Sequence, residues 1–261
     1  MTPRDALLPF NPKGWKYNMS WVLILGAKSD IAKAIAHRYG KAGYHLYLAA
    51  RNADQLRDSV SDLQIRYPIK AKALEWNAHH QDEHGDFYES LDPKPDVIIA
   101  VAGYMGEQKK AQADLQERKL IIDTNYSGLV TLLEWAAKDF EQKKSGFIIG
   151  ISSVAGDRGR QSNYLYGSAK AAFTCYLSGL RNRLYPSQVQ VLTVKPGFVA
   201  TAITQDMDLP RLLTASPEKV AKDVFKAFKK KKCVIYTPWY WRWIMAVIKG
   251  IPEKIFRKLK L

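Results

Sequence analysis

The stretch WVLILGAKSDIAKAIAHRYG, residues 21–40, decides how the fold is read. Its opening apolar run is too short for a helix and suits a strand buried on both faces. Gly26 then opens a turn, and an amphipathic helix follows over about 30–42. The same alternation recurs along the chain. Strand candidates stand at 21–26, 44–50, 72–76, 96–102, 146–152, 189–195 and 233–237. Helix candidates lie between them at about 30–42, 53–66, 108–142, 163–185 and 217–231. This β-α-β order predicts an α/β chain built on a doubly wound parallel sheet of about seven strands. No internal repeat or Pro/Gly-rich seam marks a second domain. Residues 1–20 read as an N-terminal extension, 21–237 as one domain and 238–261 as a basic helical tail. The polar segment 202–216 (AITQDMDLPRLLTAS) reads as a mobile loop over a site.

The 261 residues are 47% hydrophobic and 25% charged, which allows a large buried core and argues against wholesale disorder. Cys175 and Cys233 cannot build a disulfide framework or a four-ligand zinc site. His79, His80 and His84 fall in a polar stretch that reads as a loop without a frame for metal ligands, so no metal is expected. The first 20 residues lack the basic-then-apolar layout of a signal peptide, and a cytoplasmic location is expected. Charge is uneven: residues 222–261 hold 12 Lys and Arg against Asp223 and Glu253. That places +10 of the net +15 there and leaves +5 for residues 1–221. A nearly balanced body with a basic appendage points to a separate partner for the appendage rather than to a nucleic-acid-binding domain.

Gly26-Ala27-Lys28-Ser29-Asp30-Ile31-Ala32 joins the first strand to the first helix, where backbone N–H groups and the positive helix end can receive a pyrophosphate. Asp30 also suits an N-cap. Tyr166 and Lys170 stand four residues apart on one helical face. A lysine there is expected to lower the tyrosine's pKa and make the phenol a proton donor or acceptor. Ser153 lies thirteen residues upstream at the end of the fifth strand, where its hydroxyl can meet a carbonyl. Asn125 is a polar residue inside a long apolar-spaced helix, suited to holding a water for proton relay. Tyr164 cannot share the Tyr166–Lys170 geometry and reads as pocket-lining or structural.

This ordered set resembles the short-chain dehydrogenase/reductase family over about residues 20–237. The resemblance implies a Rossmann fold with Gly26 in the glycine motif, and Asp30 and Ala32 in place of its later glycines. The family's Asn-Asn-Ala-Gly motif falls on Ala100-Val101-Ala102-Gly103, with both asparagines replaced. Asn125, Ser153, Tyr166 and Lys170 take the positions of the catalytic tetrad. Pro196-Gly197-Phe198-Val199-Ala200-Thr201 matches the family's Pro-Gly segment, whose threonine touches the nicotinamide carboxamide. Cofactor contacts are therefore expected from Gly26, Lys28, Ser29, Asp30, Ile31, Ala102, Gly103, Tyr166, Lys170, Pro196, Gly197, Val199 and Thr201. Asn77 replaces the more frequent Asp at the place that caps the adenine. Arg51, where an NADH-binding chain would carry an acid, can pair with a 2′-phosphate. With Lys28, it favours NADP(H) as cofactor. The implied reaction is hydride transfer between NADP(H) and a carbonyl or secondary alcohol, with Tyr166 as proton donor in the reduction direction.

Residues 238–249 (PWYWRWIMAVIK) concentrate three of the seven tryptophans, and Pro252 can open a second short helix from Glu253 to Leu261. Arg242 and Lys249 interrupt the apolar run too soon for a membrane span. Two readings stay open: an interfacial anchor on anionic lipid, peripheral on the inner membrane face, or a tail packed over the substrate site or a subunit interface. The tail also resembles that of the bacterial subgroup similar to decaprenylphosphoryl-2-keto-ribose reductases, which implies a lipid-linked sugar ketone as substrate. A soluble 3-oxoacyl or general carbonyl reductase, and a non-catalytic NADP(H)-binding protein recruited by its tail, are the competing readings. Association into a homo-dimer or homo-tetramer through the helices at 108–142 and 163–185 is implied by the family; nucleic acid is not expected as a partner.

Overall fold

The structure, a computed structural model, describes residues 20–204 and 210–259. Residues 1–19, with Phe10 and Trp15, and the middle of the 202–216 segment lie outside the described residues. The strands are β1 (Trp21–Leu25), β2 (His45–Ala50), β3 (Ala71–Glu75), β4 (Val97–Ala100), β5 (Phe147–Ile151), β6 (Gln190–Pro196), β7 (Phe198–Val199), β8 (Thr214–Ala215) and β9 (Val234–Thr237). The helices are α1 (Asp30–Gly40), α2 (Arg57–Arg66), α3 (His84–Glu89), α4 (Gln108–Ala113), α5 (Leu115–Ile122), α6 (Gly128–Lys143), α7 (Tyr164–Leu184), α8 (Pro217–Lys229), α9 (Trp241–Gly250) and α10 (Glu253–Phe256).

Seven strands form one parallel sheet in the order β3-β2-β1-β4-β5-β6-β9, and β7 pairs with β8 beside it. In β1, Leu23 stands between Tyr47 of β2 and Ile98 of β4. Side chains alternate across the sheet. Val22 and Ile24 enter the core under α1 and α8, while Leu23 and Leu25 enter the one under α6 and α7. Both faces are covered, which is why the strands read as unbroken apolar runs. The chain leaves β1 toward β2 and β3, then returns to place β4 on the other side. The crevice at this reversal, beyond the carboxyl ends of β1 and β4, is where ligands bind in such sheets.

Three sequence readings are corrected. The single helix expected over 108–142 is broken twice. Asp114 caps α5 through its side chain, accepting from Gln116 N at 2.8 Å, and a π-helical turn, Asp123–Ser127, separates α5 from α6. The histidine stretch is a loop only in part, His79 and His80 lying in a turn. Gln81–Glu83 and α3 are helical, and His84 is buried beside Trp76, its Nε2 bonded to Asn77 O at 2.9 Å. Among the described residues the tail's second helix covers only α10.

The tail packs on the body and keeps a second face outward. Trp241 and Met245 are buried in a cluster with Val154, against which Phe198, Leu213 and Tyr236 pack. Trp239, Trp243 and Val247, each four residues apart, are 64–71% exposed. Among the described residues no helix is long and apolar enough to cross a membrane.

Candidate active site

A cavity of about 390 Å³ opens at this crevice between α1, the end of β5, α7 and the segment after β6. Its floor depends on Gly26, whose φ of +83° belongs to glycine and whose added Cβ would lie 2.5 Å from Ala102 Cα. Gly26 and Ala102 thus act beneath the cavity by close packing rather than as part of its wall. Lys28, Ser29, Asp30 and Ile31 do line it. The N-cap of α1 is Ser29, whose Oγ accepts from Ala32 N at 3.2 Å, and not Asp30 as the sequence allowed. Asp30 instead reaches across, its Oδ2 accepting from Ala202 N at 2.9 Å.

Ser153 and Tyr166 meet because two glycines let α7 approach the Val154–Gly156 turn. A Cβ on Gly156 would lie 2.7 Å from Ala171 N, and one on Gly167 2.8 Å from Ala155 O. The Ser153 hydroxyl hydrogen-bonds the Tyr166 phenol. One turn on, Lys170 is buried, with Nζ donating to Ile151 O at 3.2 Å and lying 5.7 Å from the Tyr166 ring centre. The expected lowering of the tyrosine by the lysine does not appear. Burial pushes Tyr166 up to about 12, the Ser153 bond working weakly against it, and burial pushes Lys170 down to about 7. With both groups desolvated, each favours its neutral form. Tyr166 therefore holds its proton through the neutral range.

Asn125 is completely buried in the π-helical turn. Its Nδ2 donates to Tyr104 O at 2.6 Å and Ile121 O at 2.8 Å, while Oδ1 accepts from Tyr104 N at 3.3 Å. Both donor hydrogens are spent on carbonyls, so any water it holds must donate to Oδ1. Asn125 also pins the chain after β4, where a Cβ on Gly103 would stand 3.3 Å from Asn125 Oδ1 and 3.5 Å from Lys170 Nζ. Glu117, missed in the sequence, fixes the next turn. It accepts from Glu107 N and from Tyr104 OH, and these bonds hold its carboxyl below the usual range.

Pro196, Gly197, Val199 and Thr201 line the far wall. Arg51 and Asn77 lie outside it. Arg51 is exposed beyond β2, at a turn held by Glu75, whose carboxylate accepts from Asn52 N and Ala53 N at 3.0 and 2.8 Å. Lys28 Nζ donates to Gln55 Oε1 at 2.9 Å beside this turn. Asn77 Oδ1 accepts from His79 N at 3.1 Å. Tyr164 is 42% exposed and does not line the cavity. Tyr104, Met105, Arg160, Asn163 and Phe198 line it, although no sequence motif singles out the first four.

The family model for short chain dehydrogenase matches residues 20–211. An uncharacterized oxidoreductase of Mycobacterium tuberculosis is 34% identical over 241 residues, covering 91% of this chain and 96% of its own. A short-chain dehydrogenase from Sphingobium yanoikuyae, solved in complex with NADPH, superposes with a TM-score of 0.79 at 23% identity. It covers 90% of this chain and 97% of its own. The bulky-bulky ketone specific alcohol dehydrogenase from Comamonas testosteroni gives 0.77 at 21% identity, covering 90% and 96%. At such identities the solved structures speak for the fold alone. The chain belongs to the short chain dehydrogenase family. It is an oxidoreductase of that family, and membership implies a nucleotide cofactor. The residues present fit one. The capped N-terminus of α1 opens onto the cavity, Gly103 leaves room beside Lys170, and Lys170 Nζ retains a donor beyond its bond to Ile151 O.

Proposed function

We propose that the protein is an NADPH-dependent reductase that converts a ketone, on a lipid-linked sugar or another lipophilic carbonyl compound, to a secondary alcohol. The observation that carries the reductase reading is the meeting of Tyr166, Ser153 and Lys170 on one cavity with the N-terminus of α1. The cofactor, when bound, supplies the hydride. Tyr166 donates its hydroxyl proton to the substrate oxygen, and Ser153 hydrogen-bonds that oxygen. Lys170, with a pKa near neutrality, exchanges protons with the phenol and holds the nicotinamide ribose. Asn125 accepts from the water that resupplies the proton. The backbone N–H groups of the turn from Lys28 to Ile31, which Gly26 shapes from beneath, would receive the pyrophosphate, with Arg51 and Lys28 holding the 2′-phosphate and Asn77 the adenine. Gly103, with Ala102 packed beneath it, would flank the nicotinamide ribose, and Pro196, Gly197, Val199 and Thr201 would flank the nicotinamide.

The outward stripe of Trp239, Trp243 and Val247, with Arg242, Lys249 and Lys254 exposed around it, supports docking on an anionic membrane surface from the cytoplasmic side. Exposed Leu115, Leu120, Ile122 and Trp135 on α5 and α6 support self-association there.

Three measurements test the reading. NADPH titration followed by nicotinamide fluorescence should show binding tighter than NADH. Tyr166→Phe should bind NADPH yet lose about 100-fold or more in ketone reduction; undiminished turnover ends the catalytic assignment. Flotation with phosphatidylglycerol vesicles should be lost in a Trp239→Ser, Trp243→Ser variant. Those residues are better targets than the whole tail, whose Trp241 and Met245 belong to the core.

A further inference from the structure

Arg160 and Asn163 lie between the Ser153 turn and α7, and both line the cavity that holds Tyr166. Arg160 Nε and Asn163 Oδ1 are buried and have no hydrogen-bond partner among the described residues. Among the described residues the guanidinium's one bond runs from a terminal nitrogen to the thioether sulfur of Met245, 3.5 Å away, and a thioether is a weak acceptor. Arg158, two residues earlier, has both terminal nitrogens engaged. It donates to the carbonyls of Ile248, Lys249 and Ile251 at the end of α9 and pairs with Glu253 at 2.9 Å. Asp157 acts on Arg160 through its charge but makes no hydrogen bond to it, its oxygens instead accepting from Lys195 Nζ and Tyr236 OH. Burial pulls Arg160's pKa down, with Asp157 opposing, yet a guanidinium stays charged at neutral pH. A cation held in a cavity wall with donors to spare is a receptor for an oxyanion. Asn163 Oδ1 beside it asks for a donor.

We propose that Arg160 determines substrate specificity at this site by binding an oxyanion, a phosphate ester, carried by the carbonyl substrate, with Asn163 Oδ1 accepting a hydroxyl of the same molecule. The proposal rests on the reductase reading and deepens it. Met245, which Arg160 touches, is on the inner side of α9, and Trp243 and Val247 are on its outer side. The bound oxyanion therefore lies between the reacting carbonyl and the tail. A phosphate at the head of a lipid and a phosphate on a soluble sugar offer the same chemistry.

The test is calorimetric titration of the full chain with n-octyl phosphate, glycerol 3-phosphate and n-octanol, in saturating NADPH so that the nucleotide's own phosphate contacts are filled. Octyl phosphate should bind about tenfold or more tighter than octanol, and Arg160→Gln should abolish that preference. Arg160→Lys should restore part of it. Glycerol 3-phosphate binding as tightly as octyl phosphate would assign the site to a soluble ester; weaker binding assigns it to a lipid-borne one. Equal octyl phosphate affinity in the wild type and a folded Arg160→Gln variant overturns the proposal, as does the lack of any preference over octanol. Failure of NADPH to bind would instead overturn the reductase reading, and that is seen in the nucleotide titration alone.

Discussion

Trp241 leaves no room for a side chain at residue 197: a Cβ on Gly197 would stand 1.9 Å from the indole Nε1. The same ring lies edge-on to Phe198 at 5.0 Å and its Nε1 donates to Leu213 O at 3.4 Å. The tail is thereby seated on the Pro196–Gly197 segment that lines the cavity. Gly197→Ala should destabilise the protein by about 1–3 kcal/mol through overpacking. Trp241→Ala should cost more alone, yet the double variant should lose less than the two single losses added together. Urea unfolding of the four proteins checks this cycle, and strict additivity would show that the contact is not made.

Asp30 ties the first turn of α1 to Ala202, on the far side of the cavity. Its carboxylate also places negative charge where a dinucleotide's phosphates are expected. Asp30→Asn keeps an acceptor and removes the charge, so NADPH should bind a few-fold tighter at low salt, in line with about 0.3–1 kcal/mol for a charge at a helix end. The gain should fade at high salt. Asp30→Ala also removes the acceptor, and should lower thermal stability where Asp30→Asn does not.

Arg51 projects from a turn whose N–H groups are already taken by Glu75. The turn's backbone is thus unavailable to a 2′-phosphate, and discrimination must come from cationic side chains. Arg51→Ala should weaken NADPH about tenfold or more, the scale of one charge-assisted contact, and NADH at most twofold. Parallel fluorescence titrations decide it; equal losses for both nucleotides would place Arg51 elsewhere.

Strands and helices were legible wherever burial follows sequence period. β1, β4 and β5 are apolar throughout because both faces are covered, and the Tyr166–Lys170 spacing places both side chains on one helical face. The break at Asp114 was marked by Asp-Leu-Gln-Glu, a capping pattern that a continuous-helix reading passes over. The π-helical turn at Asn125 had no local signal, since it depends on Tyr104, 21 residues away. The three tail tryptophans look alike in sequence. Only the sheet edge and Gly197 decide that Trp241 turns in while Trp239 and Trp243 stay out. Arg160 was illegible for the same reason: its lack of a partner is a fact about its neighbours.

Lys170 ties stability to pH. Its folded pKa, about 7, lies below the ordinary lysine value of 10.5. Between these values the unfolded chain binds the proton that the folded chain has lost, so stability rises with pH at up to about 1.4 kcal/mol per unit. Below about 7 both states carry the proton and this contribution levels off. Tyr166, raised to about 12, acts only above about 10, where it lowers stability as the unfolded phenol ionises. Unfolding free energies measured from pH 6 to 10 should therefore climb in the wild type and be flatter in Lys170→Met, the variant's advantage being greatest at the acidic end. Parallel curves for the two proteins would mean that Lys170 keeps its charge when buried, and the neutral-range proton exchange assigned to it would fail.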